Sequence, residues 1–129
     1  MVVFFYLPET DKLKRWRGRL LNSTAVKGDM EVYRTVETFA HRLRRPPGRP
    51  TVAVLVAGSM ENLESLHSKR KLLSEIPMIL VLPNREEGTR AMGYDLMPRF
   101  LTYVDGNPDE VEAVLDRMFE NRRKRGWPI

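Results

Sequence analysis

Apolar residues in this chain gather into short runs, and the stretches between them carry apolar positions at helical spacing among charged ones. "VVFFYL" (2–7) is continuously apolar, β-branched and aromatic, and Pro8 stops it, so it reads as a strand buried on both faces. "PETDKLKRWRGRLLNST" then sets Leu13, Trp16 and Leu20 at helical spacing with Lys and Arg elsewhere. This is an amphipathic helix that Gly18 weakens. "KGDMEVYRT" (27–35) has a Gly-Asp turn followed by a brief strand pattern in Met30 and Val32, with Tyr33 flanking it. "VETFAHRLRR" (36–45) places Val36, Phe39 and Leu43 on one helical side, and "PPGRP" ends it because proline cannot continue the hydrogen-bond ladder.

"TVAVLVA" is a further buried strand, shown by its lack of alternation, and it stops at Gly58 and Ser59. Ser59 is a suitable N-cap for a helix over 59–76, with Leu63, Leu66 and Leu73 on its inner face. Pro77 introduces "MILVLPN", a fourth strand that Pro83 halts. "REEGTRAMGYDLM" (85–97) predicts a short helix weakened by two glycines, and "RFLTYV" (99–104) a fifth strand. In the last segment Asn107 caps, Pro108 takes the first helical position, and Asp109 and Glu110 sit at the positive end of the helix dipole. Val111, Val114, Leu115, Met118 and Phe119 then form a regular helical stripe.

The order is βαβαβαβαβα. Strict alternation with apolar strands predicts an α/β fold: a flavodoxin-like, doubly wound, five-stranded parallel sheet in the order 2-1-3-4-5, with helices on both faces. In such a sheet the first and third strands flank the switch point. Their C-terminal ends, "YLPET" and "LVAGSM", line the crevice where this architecture usually places its chemistry. Here "LVAGSM" offers no acid, no base and no metal ligand.

Composition narrows the field. At 129 residues the chain is one domain by size, 1–129, with a basic tail from about 121 to 129. It has no cysteine, which excludes disulfides, thiolate metal sites and a cysteine nucleophile. The first apolar run has no basic residues ahead of it and is too short to span a membrane, so a cytoplasmic protein without a membrane segment is expected. His41 and His67 stand beside Lys or Arg without a histidine partner one turn on, and read as surface residues. Ser59 lacks a Gly-x-Ser-x-Gly setting, and "LPETDK" holds no glycine to cradle a phosphate. No cofactor and no metal are implied.

"GDMEVYRTVETFAHRLRRPPGRPTVAVLVAGSM" resembles the second strand, second helix and third strand of response-regulator receiver domains, in spacing and in residue type. "IPMILVLPN" is similar to their fourth strand, and "RFLTYVDGNPDEVEAVLDRM" to their fifth strand and the start of their last helix. The likeness runs over nearly the whole chain and is weakest in the first helix. Receivers carry an acidic pair at the end of the first strand, where this chain has Tyr6 and Leu7; Glu9 and Asp11 come a few residues late, as a displaced cation pair or as ordinary helix-start acids. The phosphoacceptor position falls on Val56, or on Ala57 if the register slips by one. The Ser or Thr of the fourth strand falls on Leu82, and the lysine of the fifth on Val104 or Tyr103. Phosphoryl transfer to a carboxylate needs that carboxylate and a hard cation held by others, and these side chains supply neither.

The resemblance therefore implies a degenerate receiver of bacterial two-component signalling, non-enzymatic, acting by phosphorylation-independent protein–protein contact. Its partner would be a protein of a signalling system or a second copy of itself. The family's usual contact face suggests Tyr94, Arg99, Tyr103 and Arg117, each of which also suits an ordinary surface or edge position. No output domain is expected after "GWPI". The alternative comes from charge: the net charge is +5 and the pI about 9.8. Lys12, Lys14, Arg15, Arg17 and Arg19 on the first helix and Arg122, Arg123, Lys124 and Arg125 on the last would merge on one sheet face. With Trp16 and Trp127 nearby, that patch would bind nucleic acid or another polyanion, unless it is a solvated helix face and Trp16 is packed.

Overall fold

The computed structural model describes residues 2–22 and 29–124, apart from the side chains of 122–124. Its strands are β1 (Val2–Tyr6), β2 (Met30–Tyr33), β3 (Thr51–Val56), β4 (Met78–Leu82) and β5 (Phe100–Tyr103). All pair in parallel, in the order β2-β1-β3-β4-β5, which is the expected flavodoxin-like sheet. The helices are α1 (Lys14–Leu21), α2 (Val36–Leu43), α3 (Met60–His67), α4 (Arg70–Leu73), α5 (Glu87–Asp95) and α6 (Pro108–Lys124).

Successive side chains of a strand point to opposite faces, and here each face has its own helices. Val3, Phe5, Val52, Val54, Ile79 and Val81 bury against Leu13, Trp16 and Leu20 from the α1 side and Val111 and Leu115 of α6. Phe4, Tyr6, Leu55 and Leu80 bury against Phe39 of α2, Leu63 and Leu66 of α3 and Leu73 of α4. Every residue of β1, β3 and β4 is buried, as expected for strands covered on both faces. The caps follow the sequence: the Ser59 hydroxyl accepts from the Asn62 N–H at 3.1 Å, and the Asn107 side chain from the Asp109 N–H at 3.0 Å.

The structure departs from the expected elements in three places. Residues 8–10 precede the first helix, which begins with a 3-10 turn at Asp11–Leu13. The helix expected over 59–76 is two, because Ser68 turns its hydroxyl back to the Ser65 carbonyl at 2.6 Å and a turn separates α3 from α4. On β2 it is Tyr33 that packs inward, while Met30 and Val32 stay 41% and 38% exposed. They lie in register with Val3 and Phe5, but on an edge strand beyond the cover given by α1.

An aromatic cluster joins β1, β2 and α2. The Phe39 ring lies 5.5 Å from Tyr33, 6.3 Å from Phe4 and 6.3 Å from Tyr6. Arg42 caps it, with its guanidinium 4.9 Å from the Phe4 ring and its Nε donating to Glu31 at 2.9 Å. Glu31 also accepts from the Tyr33 hydroxyl. Burial pushes the Glu31 carboxyl up, but the hydrogen bonds from Tyr33 and Arg42 outweigh it and hold the group below its usual value. Burial, with the nearby Glu37 for Tyr6 and Glu31 for Tyr33, pushes both phenols up to about 12.

These shifts set the pH dependence of stability. A phenol raised in the folded state stabilises fully below its ordinary value of 10.0 and loses that contribution as pH climbs through about 12. Glu31, depressed in the folded state, stabilises above its ordinary 4.5 and loses that contribution as pH falls through its lower folded value. The urea midpoint should therefore fall on both flanks, and Tyr33→Phe should flatten the alkaline flank and reduce the acid one. Two glycines should respond with opposite sign. An added Cβ at Gly18 meets nothing within 4 Å, so Gly18→Ala should stabilise α1 by about 0.5–1 kcal/mol. At Gly93 it would stand 3.0 Å from both Leu82 methyls and 3.2 Å from Leu101, so Gly93→Ala should cost about 1–3 kcal/mol in the same denaturation assay.

Candidate functional site

β1 and β3 are adjacent, and the chain leaves them in opposite directions across the sheet, so their C-terminal ends open the crevice predicted from topology. Tyr6 and Leu7 stand at the end of β1, Val56 and Ala57 at the end of β3, and Leu82 ends β4; all five are buried. Val104, just past β5, is half-buried. Tyr6, Ala57 and Leu82 belong to the core on the α2–α5 side, and Leu7, Val56 and Val104 to the core on the α1–α6 side.

The crevice is filled from the α1 side. Leu13, at the end of the 3-10 turn, lies over Gly58 so closely that a Cβ there would stand 3.0 Å from its Cδ1. A Cβ there would press on the Leu13 side chain, which would have to shift to admit it. Trp16 is fully buried, and its indole N–H donates to the Val104 carbonyl at 2.8 Å. Arg15 donates to the same carbonyl at 3.0 Å and to that of Gly106 at 2.8 Å. Arg17 donates to the carbonyls of Pro8 at 3.2 Å and Thr10 at 3.0 Å, which fixes the segment entering the turn. Arg19 pairs with Asp109 on the first turn of α6. Helix α1 is thereby stapled across the crevice mouth to the β5–α6 loop.

The basic first helix thus spends Arg15, Arg17 and Arg19 on protein acceptors. Lys12 and Lys14 remain exposed. α1 and α6 do share a sheet face, but the side chains of Arg122, Arg123 and Lys124, with Arg125 and Trp127, lie outside the described residues. Trp16 is packed and unavailable for stacking. Glu9 faces Arg34 at 3.4 Å, and Asp11 is the exposed first residue of the 3-10 turn. Among the described residues no group of three or more His, Cys, Asp or Glu side chains could hold a metal ion.

The remaining sequence candidates separate. His41 is exposed, whereas the half-buried His67 ties α3 to α5 through Asp95, Nε2 to Oδ2 at 2.6 Å. Tyr94 is 62% exposed, and Arg99 and Arg117 are exposed. Tyr103 is not a bare surface aromatic: it is half-buried, packs on the core and carries the Arg85 guanidinium 4.1 Å above its ring. Asp105 holds that arginine at 2.9 Å. Sequence reading missed Met97, which is 83% exposed at a φ of 56°. Its N–H bonds the Tyr94 carbonyl at 2.9 Å, so it terminates α5 in the left-handed conformation that usually falls to glycine. The only signal was the Pro98 that follows it.

A carboxylate introduced at the end of β3 would be buried in an apolar setting. Val56→Asp would bury an acid among Leu7, Leu13 and Trp16 with no cation to pair it. Its folded-state pKa would rise, so stability should drop as pH increases above the ordinary Asp value. We expect a loss on the order of 3 kcal/mol or more at neutral pH, smaller at pH about 4, by urea denaturation.

Among known proteins, no family model, no curated protein and no solved structure matches this chain.

Proposed function

We propose that the chain is a receiver-like, non-enzymatic module of bacterial signal transduction that acts through phosphorylation-independent contact with a protein partner. The observation that carries this reading is the apolar crevice: Tyr6, Leu7 and Val56, the positions that the receiver resemblance gives to carboxylates, are buried at the strand ends, with Leu13 and Trp16 packed in the core beside Leu7 and Val56. A scaffold that keeps its sheet and fills its working end retains its outer surface as the means of action.

The face formed by the end of α5 and the start of β5 supports a docking role. Among the described residues, Tyr94 and Met97 are the two most exposed of the large apolar side chains, and Arg99 follows on the same loop. Tyr, Met and Arg are the residue types enriched at interface centres. A non-glycine residue in the left-handed region costs about 1–2 kcal/mol. Met97 offsets this with little burial of its own, and its exposed side chain stands free for a contact. A polyanion-binding role has weaker support, because three of the five basic side chains around α1 are committed to Pro8, Thr10, Val104, Gly106 and Asp109.

Incubation with acetyl phosphate and Mg²⁺ should add no mass to the protein. Used as bait, the native chain should retain a discrete partner, or sediment as a dimer. The double variant Tyr94→Ala/Met97→Gly should melt no lower than native and lose that partner or that dimer. Stoichiometric phosphorylation, or a partner held equally well by the double variant, overturns the proposal.

A further inference from the structure

Concave surfaces lie at the opposite edge of the sheet from the crevice. A cavity of about 610 Å³ opens beside the N-terminal ends of β3, β4 and β5, within the range of about 300–1,000 Å³ typical of small-molecule sites. Leu43, Leu72, Ile76 and Met118 give it an apolar floor. Arg44, Arg45 and Arg49 from the α2–β3 loop and Arg99 from the start of β5 stand around it, and Glu75 is the one acid among its lining residues.

The arginine-bearing loop is held in one shape. Pro46, Pro47 and Pro50 fix three backbone torsions, and Gly48 turns the chain at a φ of 72°. The Arg45 N–H bonds the Arg42 carbonyl at 3.2 Å, and Arg42 in turn donates to the Arg45 carbonyl at 3.1 Å. At the far end the Thr51 hydroxyl donates to the Arg49 carbonyl at 2.8 Å, and Arg49 pairs with Asp29. Among the described residues, Arg44, Arg45 and Arg99 have no carboxylate within 4.0 Å. Three guanidinium groups outside any salt bridge among the described residues, on a proline-stiffened rim beside apolar side chains, suit an anionic head joined to an apolar body.

We propose that this cavity binds a small amphipathic anion: a carboxylate or phosphate head on an apolar ring or short chain. Guanidinium groups match such heads with paired N–H donors, and the floor takes the apolar body. A loop ordered in advance loses little freedom on binding, which favours affinity. The site is separate from the filled crevice, and it does not depend on the docking role of Tyr94 and Met97.

The test uses anilinonaphthalene sulfonate as the anionic probe and phenylnaphthylamine as its neutral counterpart, on the full chain. The anionic probe should saturate at one molecule per chain by calorimetry, with amide shifts confined to 43–51, 72–77, the start of β5 and 118–121. The neutral probe should bind at least about tenfold more weakly. Arg44→Glu and Arg99→Gln should each weaken the anionic probe about tenfold or more, and Ile76→Trp should abolish its binding by filling the floor. Lys12→Glu, at the opposite sheet edge, and Tyr94→Ala/Met97→Gly should leave it unchanged, with thermal melts confirming that all variants fold. Equal affinity for the neutral probe, indifference to the arginine substitutions, or displacement by a single-stranded oligonucleotide with steep salt dependence would each overturn the proposal. The last result would mark a polyanion surface instead.

Discussion

The hydrogen bond from the buried Trp16 indole to the Val104 carbonyl is the contact on which the arrangement of this molecule turns. An indole taken wholly out of water needs an acceptor for its N–H, and here it takes the backbone carbonyl of Val104, just beyond the last strand. Once that bond is made, the position of α1 is fixed. Leu13 then falls over Gly58, Arg15 reaches the Gly106 carbonyl, and Arg19 meets the first turn of α6. The bond itself contributes about 0.5–1.5 kcal/mol net, but breaking it would leave a buried donor unpaired at a cost of about 1–3 kcal/mol. The asymmetry explains why so modest an interaction can dictate the geometry around it.

The same contact decides where polar chemistry can exist. β1 and β4 contribute only apolar side chains apart from the Tyr6 hydroxyl, and the one polar side chain of β3 is Thr51 at its start, whose hydroxyl turns to the Arg49 carbonyl. The centre of the sheet is therefore insulating from one end to the other. Charge is confined to the periphery, where it is largely neutralised locally: Arg42 with Glu31, Arg85 with Asp105, Arg34 with Glu9. A concave and charged rim lies at the N-terminal edge, built from a proline-stiffened loop rather than from strand ends.

Much of the fold was legible because parallel strands buried on both faces must be continuously apolar, and "VVFFYL", "TVAVLVA" and "MILVL" have no other use. Helix starts were legible for a different reason: Ser59 and Asn107 are side chains whose oxygens satisfy specific N–H groups one turn on. The break at Ser68 was not, because a serine that bonds back to its own helix looks the same in sequence as one that faces water. The emptiness of the crevice could be read, since it depends on which residues end the strands. Its filling could not, because Trp16 and Val104 are 88 residues apart and the acceptor is a backbone atom with no sequence signature. The same holds for Arg15 and Arg17, whose charge suggested a surface patch while their partners are carbonyls. The exposed Met97 and the arginine-rimmed cavity depend on tertiary shape, on which local composition is silent.

The staple also has a consequence in time. Its donors leave the ribosome some 88 to 91 residues ahead of their acceptors at Val104 and Gly106. At about 5–20 residues per second, that separation is roughly 4–18 s of synthesis. Throughout it Trp16 has neither its acceptor nor the cover of α6, and β1 lacks the full shelter of its outer face. Contacts of long sequence separation such as these close late, and folds that depend on them fold more slowly than folds built from local contacts.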